Sequence, residues 1–283
     1  MTEKKCIDWK TDVARFEAYL REQESAEATV SKYLRDIRTF MTFVREQAWI
    51  EKNDILRYKD WLMEHYSVSS ANSMIVALNQ FLIFMEAGRM RVRRIRVQAQ
   101  SFCSAERELE KEEFRRLVCR ARAGGHAQLA MLMETICATG IRVSELKFFQ
   151  AGSVRAGAVR VWNKGKYRIV LLPEKLRKKL LAYMAKYGIE SGPLFCTRSG
   201  KAKDRSNIWR EMKSLAAGAG VRPEKVFPHN LRHLFARTFY RTTKNLVHLA
   251  DILGHSSLET TRLYLLTTGA EHMKQLERLN LVT

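Results

Sequence analysis

Residues 89–98 read RMRVRRIRVQ, and no other stretch limits the fold as strongly. Arg89, Arg91, Arg93, Arg94 and Arg96 set five guanidiniums into eight residues, all charged at any physiological pH. Burying that many unpaired charges costs more than folding returns. The run therefore lies at a surface and divides the chain. It alternates Arg with Val and Ile and holds no Gly or Pro, which fits either a solvated edge strand or an extended linker. A helical pattern ends just before it and another begins just after, which favours the linker. We place a first domain at 1–90, a basic linker at 91–105 and a second domain at 106–283.

Ahead of the run the apolar residues recur at helical spacing. Val13, Phe16 and Leu20 mark one helix, and Val30, Tyr33, Leu34, Ile37, Phe40, Met41 and Val44 a second at i, i+3, i+4, i+7. A third, with Ile55, Tyr58, Trp61 and Leu62, starts behind Asn53 or Asp54 as N-cap. The fourth runs from about Ser70 to Ala87, with Gly88 as its stop. Tyr66 to Met85 carries no charge and approaches the length of a bilayer span. Yet Ser67, Ser69, Ser70, Asn72, Ser73, Asn79 and Gln80 lie within it, and its apolar residues share one face. It reads as an amphipathic core helix. The first domain is thus a helical module without strands.

Beyond the linker, helices are predicted over 106–122 and 126–138, the second closed by Gly140, with a new amphipathic start at IRVSELKFF. Residues 158–172, AVRVWNKGKYRIVLL, are two β-rich runs around Lys164-Gly165-Lys166, the composition of a hairpin. Further helices follow over 174–187, 206–217, 229–241, 245–253, 257–266 and 271–280. The fold class is mainly α: a helical N-terminal domain plus a mixed helical second domain holding a small antiparallel β-sheet.

Charge narrows the partner. The chain has 50 Lys and Arg against 30 Asp and Glu, a net +20, but residues 1–90 hold 13 basic and 14 acidic side chains. The surplus sits almost wholly beyond residue 88, and a self-repelling excess of this kind points to a polyanion, most often nucleic acid. Any basic face in the first domain (Lys32, Arg35 and Arg38 are candidates) must be balanced by acids elsewhere. Cys6, Cys103, Cys119, Cys137 and Cys196 are odd in number and form no CxxC pair, which argues against a disulfide framework or zinc site and fits a reducing compartment. MTEKKCIDWK lacks the apolar core of a signal peptide. We expect a soluble, cytoplasmic protein without a membrane partner.

Phosphate-loop, GxGxxG, HExxH and GxSxG motifs are absent, and the carboxylates do not cluster as a two-metal site needs. Four segments carry candidate chemistry: ATGIRVSEL with Arg142, NKGKYR with Lys164, PHNLRH with His229 and Arg232, and LGHSSLETTRLY with His255 and Tyr264. His229 and Arg232, three apart on a predicted helix, share a face; His233 is expected to point elsewhere. Gly254 permits a sharp helix stop, and Ser256 with Glu259 forms a capping box for the helix that carries Tyr264. Each segment alone has an ordinary structural explanation. Together, in this order, they are specific.

In these motifs the sequence resembles the tyrosine recombinase family, the phage-integrase and Xer-type site-specific recombinases. TGIRVSEL, HNLRH and LGHSS followed nine residues on by tyrosine are the close local patterns, and the resemblance extends over essentially the whole chain. It implies a SAM-like core-binding domain over the first 90 residues and a catalytic domain over 106–283. The implied catalytic set is Arg142, Lys164, His229, Arg232, His255 and Tyr264, with Glu145 supporting Arg142. It also implies a duplex DNA partner with a specific site, contacted by Arg89, Arg91, Arg93, Arg94, Arg96, Lys166 and Arg168, and no metal or cofactor. The hairpin departs from the family pattern: Asn163-Lys164-Gly165-Lys166-Tyr167-Arg168 is one residue shorter than Gly-Lys-Gly, a spacer and Lys-x-Arg. Lys166 therefore competes with Lys164 as the catalytic lysine.

The resemblance further implies a homotetramer on two DNA sites, with a tail helix bearing Met273, Leu276 and Leu279 docking on a neighbour, in a protein of bacterial or phage origin. The reaction it implies is integration, excision or inversion through a 3′-phosphotyrosine. Two other functions remain open at this point. One is a type IB topoisomerase-like DNA relaxation; the other is a catalytically inactive DNA-binding regulator of the same fold.

Overall fold

A computed structural model describes residues 4–96, 107–163, 166–197, 199–255, 257–262 and 264, with Asn163 and Lys166 described in backbone only. The chain divides into two compact units at residues 1–99 and 100–283.

The first unit is four helices closed by a short ribbon: α1 (Trp9–Glu22), α2 (Glu27–Phe43), α3 (Lys52–His65) and α4 (Val68–Phe84). Their apolar stripes meet in a core that includes Trp9, Phe16, Phe40, Tyr58 and Phe81, all buried. The rings pack mostly edge-on or tilted, Phe40 on Tyr58 with centroids 4.9 Å apart and Phe16 on Phe81 at 5.3 Å. Such contacts add to plain area burial.

Three expectations for this unit fail. It is not strand-free: β1 (Lys4–Cys6) pairs antiparallel with β2 (Trp49–Glu51), stretches too short to show a period-2 pattern. Asp54 is not the N-cap of α3 but its third residue, reaching back to accept from the Glu51 backbone N–H at 2.9 Å. Gly88 does not stop α4, which ends at Phe84; the chain turns over at Glu86 (φ +58°), and Gly88 opens a 3-10 turn.

The start of the basic run belongs to this unit. Asn79 on α4 pairs with both backbone groups of Val92, accepting at 3.0 Å and donating at 2.8 Å. Two turns earlier Asn72 holds Ile95 in the same way, at 2.7 and 3.0 Å. Two amides thus replace the partner strand an extended segment would otherwise need. Met90 and Val92 are buried by this clamp, while Arg89, Arg91, Arg93, Arg94 and Arg96 are exposed. Residues 97–105 of the expected linker lie outside the described residues.

The second unit is built around α6 (Ala127–Thr139), apolar on nearly every side and packed by α5 (Lys111–Ala123), α8 (Glu174–Lys186), α9 (Arg205–Leu215) and α10 (Pro228–Thr243). A helix apolar all round must be enclosed. Gly140 ends it in the left-handed region, as its sequence position suggested. The expected helix at IRVSELKFF is instead a 3-10 segment, Val143–Phe148, followed by α7 (Ala151–Ala156). Its i→i+3 bonds stop where Gln150 leaves to bridge Pro193.

The hairpin forms as read: β3 (Ala158–Asn163) runs antiparallel to β4 (Lys166–Leu171), Asn163 opposite Lys166. Lys164 and Gly165, at its tip, lie outside the described residues, as do Ser256 of the expected capping box and the tail with Met273, Leu276 and Leu279. The chain closes through α11 (Leu246–Leu253) and α12 (Leu258–Arg262). Among the described residues no helix is long and apolar enough to cross a membrane.

Candidate active site

The site forms where two chain reversals meet α10. The first is Gly140. A methyl group at its α-carbon would lie 2.4 Å from the Phe235 ring, and its φ of +65° lies in the left-handed region that glycine adopts at least cost. The turn aims the Gly140 carbonyl at α10, where it accepts from Arg232 Nη1 at 2.6 Å. It also delivers Arg142 beside Glu145, which accepts from the Arg142 backbone N–H at 2.8 Å and from its Nη1 at 3.2 Å. The second reversal is Gly254, again left-handed, which exposes the Leu253 carbonyl to Arg232 Nη2 at 2.9 Å and presents His255. Tyr264 follows α12 closely in the chain.

Arg232 is the hub. It is fully buried, and it touches Gly140, Leu253, His255 and Tyr264 at once. Loss of hydration, then the charge of Arg142, lowers its pKa to about 10, so it remains a cation at neutral pH. The Tyr264 hydroxyl accepts from its Nε at 3.4 Å. Tyr264 is only 6% exposed: its ring joins Ala236, Leu249 and Leu253 in a small apolar cluster, while its hydroxyl meets Arg232. Its ring lies 5.5 Å from His255, 5.7 Å from His229 and 4.3 Å from His233, centroid to centroid.

The tautomer of His255 follows from its neighbours. Arg232 has only donors, so His255 Nε2, 2.7 Å from Arg232 Nη2, must be the bare acceptor. Its Nδ1 then carries the proton and donates to Thr261 Oγ1 at 2.8 Å. Burial and the charges of Arg232, Arg142 and Arg168 push its pKa down to about 4. In this arrangement Nε2 cannot donate to a phosphate oxygen. His229, which still reaches solvent, is lowered from its ordinary value by partial desolvation and then by Arg232, Arg142 and Arg205.

His233 is a correction. It does not point away from the site but packs on Tyr264 and edge-on against His229, at 4.7 Å. The signal was in the sequence, since 229 and 233 stand at i and i+4 on one helix. Desolvation lowers its pKa to about 4 as well.

These shifts have a stability consequence. The unfolded chain takes up protons on these imidazoles near the ordinary value of 6.5, whereas the folded site keeps His233 and His255 bare down to about 4. Acid therefore favours the unfolded state; the stability present above pH 6.5 is lost on descending towards 4. We expect Tm to fall across that window, and the non-titrating His233→Phe to make the fall shallower. A slope unchanged by His233→Phe refutes the neutral, buried state of this ring.

Of the other predicted residues, the Arg142 side chain is 36% exposed and open to a ligand, whereas Glu145 is buried. Arg168 turns inward to donate to Glu145 at 2.6 Å. Lys164 lies outside the described residues, and Lys166 is placed only by its backbone. In the first unit Lys32 is paired with the buried Asp36, whereas Arg35 and Arg38 line a surface hollow with Trp61. The sequence reading missed the anchoring part of Thr261, the close approach at Gly140, and His233.

Known proteins share this arrangement of domains. A family model described as the phage integrase family matches residues 107–270, and one described as phage integrase, N-terminal SAM-like domain, matches 13–88. Tyrosine recombinase XerD of Rhizobium meliloti is 31% identical over 280 residues, covering 89% of this chain and 90% of the relative. XerD of Vibrio cholerae is 26% identical over 274 residues, with 90% of each covered. A solved lambda integrase tetramer bound to a Holliday junction superposes with a TM-score of 0.72 at 16% identity, covering 92% of this chain and 77% of that one. At that identity the likeness speaks for the fold alone.

Proposed function

The chain belongs to the phage integrase family and is a site-specific DNA recombinase; from that premise we propose that Tyr264 is its nucleophile, served at one phosphate by Arg142, Lys164, His229 and Arg232, with His255 holding Arg232 through Nε2 and stacking on the Tyr264 ring. The observation that carries the proposal is the contact of Arg232 Nε with the Tyr264 hydroxyl inside a ring of three imidazoles.

Attack by the Tyr264 oxygen forms a bond to phosphorus and breaks the bond from phosphorus to the 5′-oxygen. The products are a 3′-phosphotyrosine and a free 5′-hydroxyl. Negative charge grows on the two non-bridging oxygens during attack, and guanidiniums fixed in advance meet it without reorganising. Arg142 is open to the ligand. Arg232 spends four of its five N–H groups on Gly140, Leu253, His255 and Tyr264. One Nη1–H is left for phosphate, and the Nε–H joins it when Tyr264 turns to attack.

The phenol hydroxyl must lose its proton as it attacks. His229 receives it: this imidazole is kept neutral by its neighbours and faces solvent, where a proton is passed on. Lys164 at the hairpin tip, or Lys166 in its place, protonates the leaving 5′-oxygen. Each such transfer contributes about 10²–10⁴-fold. Because an ester replaces an ester, a second 5′-hydroxyl reverses the step without external energy, which permits strand exchange. The exposed arginines of residues 89–96 follow the phosphate backbone. Four copies act on two sites, joined through the tail that carries Met273, Leu276 and Leu279.

The test uses a duplex selected by the protein from a random pool and nicked beside the cleavage point, so that the released fragment diffuses away. Recombination predicts a covalent adduct that then joins a second duplex bearing a 5′-hydroxyl. Relaxation of supercoils without joining supports the topoisomerase reading, and tight binding without an adduct supports the regulator.

A further inference from the structure

Arg168 was expected to contact DNA, and its surroundings describe a different role. On β4 the side chains alternate: Tyr167, Ile169 and Leu171 face outward, with Tyr167 78% exposed, while Val170 is buried. Arg168 shares the inward face, its side chain 15% exposed. Loss of hydration is the largest influence on its pKa and lowers it; the Glu145 carboxylate opposes that shift. A guanidinium so placed is costly unless it holds something.

What it holds is specific. Nη2 donates to Glu145 Oε2 at 2.6 Å, and Nη1 points at the Leu253 carbonyl at 3.4 Å. Each acceptor is shared with a different arginine of the proposed site. Glu145 also takes the backbone N–H and Nη1 of Arg142; the Leu253 carbonyl also takes Nη2 of Arg232 at 2.9 Å. The contact is tight, because a methyl group at Gly254 would lie 2.7 Å from Arg168 Cδ. A side chain at 254 would push this guanidinium aside as well as strain a backbone at φ +65°. Arg168 also lies two residues from Lys166 and four from Lys164.

We propose that Arg168 is a positioning residue: through Glu145 and the Leu253 carbonyl it sets Arg142 and Arg232 relative to each other, and it fixes the lysine-bearing hairpin to that pair. The proposal rests on the active-site reading above. A lysine would not serve, since one ammonium cannot span two acceptors on separate segments in a fixed plane. The two arginines and the hairpin then form one unit, and displacement of the hairpin disturbs the alignment of both with the transition state while each keeps its charge beside the bound phosphate.

The experiment compares full-length wild type, Arg168→Lys and Arg168→Gln. DNA affinity is measured across a salt series, and single-turnover cleavage at saturating nicked duplex is measured with the ordinary 5′-oxygen and with a 5′-bridging sulfur. Sulfur leaves without a proton and so removes the need for the lysine. We expect affinity within about threefold of wild type and an unchanged salt slope, because no phosphate contact is lost. Cleavage should fall about 10²-fold in both variants, the penalty of misplaced catalytic groups. The sulfur substrate should restore only part of it, since the arginines stay misplaced.

Wild-type cleavage tests the active-site reading separately. In an enzyme that cleaves, three results overturn the proposal. One is an Arg168→Lys protein with wild-type cleavage. Another is a salt slope lowered by about one, the mark of a lost phosphate contact. The third is full recovery on sulfur, which would leave Arg168 serving the lysine alone. Should Arg168→Gln fail to fold, Arg168→Lys decides between these outcomes.

Discussion

Tyr264→Phe removes covalent capture of DNA altogether while leaving the protein folded and bound to its site. The change deletes one oxygen. That oxygen's only hydrogen bond among the described residues is the 3.4 Å contact from Arg232 Nε, a long bond worth at most about 1 kcal/mol. The ring contacts with His229, His233 and His255 persist, so Tm should move by only a few degrees. The adduct, read as a band resistant to boiling in detergent, should vanish. An adduct of undiminished yield in Tyr264→Phe would transfer the nucleophile's role to another residue and remove the basis of the mechanism.

How much of this was legible beforehand depends on the range of the interactions involved. The helices were readable because burial of one face imposes a period on the sequence, and α2 shows it at Val30, Leu34, Ile37 and Phe40. The hairpin was readable because β-rich runs flank a two-residue tip. The ribbon of Lys4–Cys6 with Trp49–Glu51 left no such trace: three residues carry too little alternation, and the pairing joins positions more than forty apart. The clamp on the arginine run was equally hidden, because Asn72 and Asn79 read only as polar interruptions in an apolar helix until their amides meet Val92 and Ile95.

Within the site, the residue types proposed to face phosphate were legible and their supports were not. His255 needs Thr261 to fix its tautomer, and Arg232 needs two carbonyls released by glycine turns. Carbonyls have no sequence signature, so the geometry that orders Arg232 was invisible. His233 is different. Its i+4 relation to His229 is present in the sequence, and that relation, not its adjacency to Arg232, decides which way the ring points.

In the proposed mechanism Arg142 and Arg232 meet the same chemistry from opposite environments, and this separates the consequences of their loss. Arg232→Lys replaces a buried fork by a single ammonium that cannot reach Gly140, Leu253, His255 and Tyr264 together. Cleavage should drop by about 10³-fold or more, as for removal of a preorganised transition-state donor. Stability should drop too, because the buried Gly140 carbonyl left without its donor costs about 1–3 kcal/mol, while the Leu253 carbonyl keeps the longer contact from Arg168. That corresponds to a Tm lowered by roughly 2–12 °C in a unit of this size. Arg142→Ala should reduce cleavage comparably yet leave Tm nearly unchanged: its side chain is 36% exposed, and Glu145 keeps Arg168 as a partner. DNA affinity should hold in both to within about tenfold, since one phosphate contact among many is lost. The decisive comparison is thermal unfolding beside single-turnover cleavage for the two variants. If Arg142→Ala melts as early as Arg232→Lys, Arg142 is a structural strut and the phosphate has one guanidinium where the mechanism requires two.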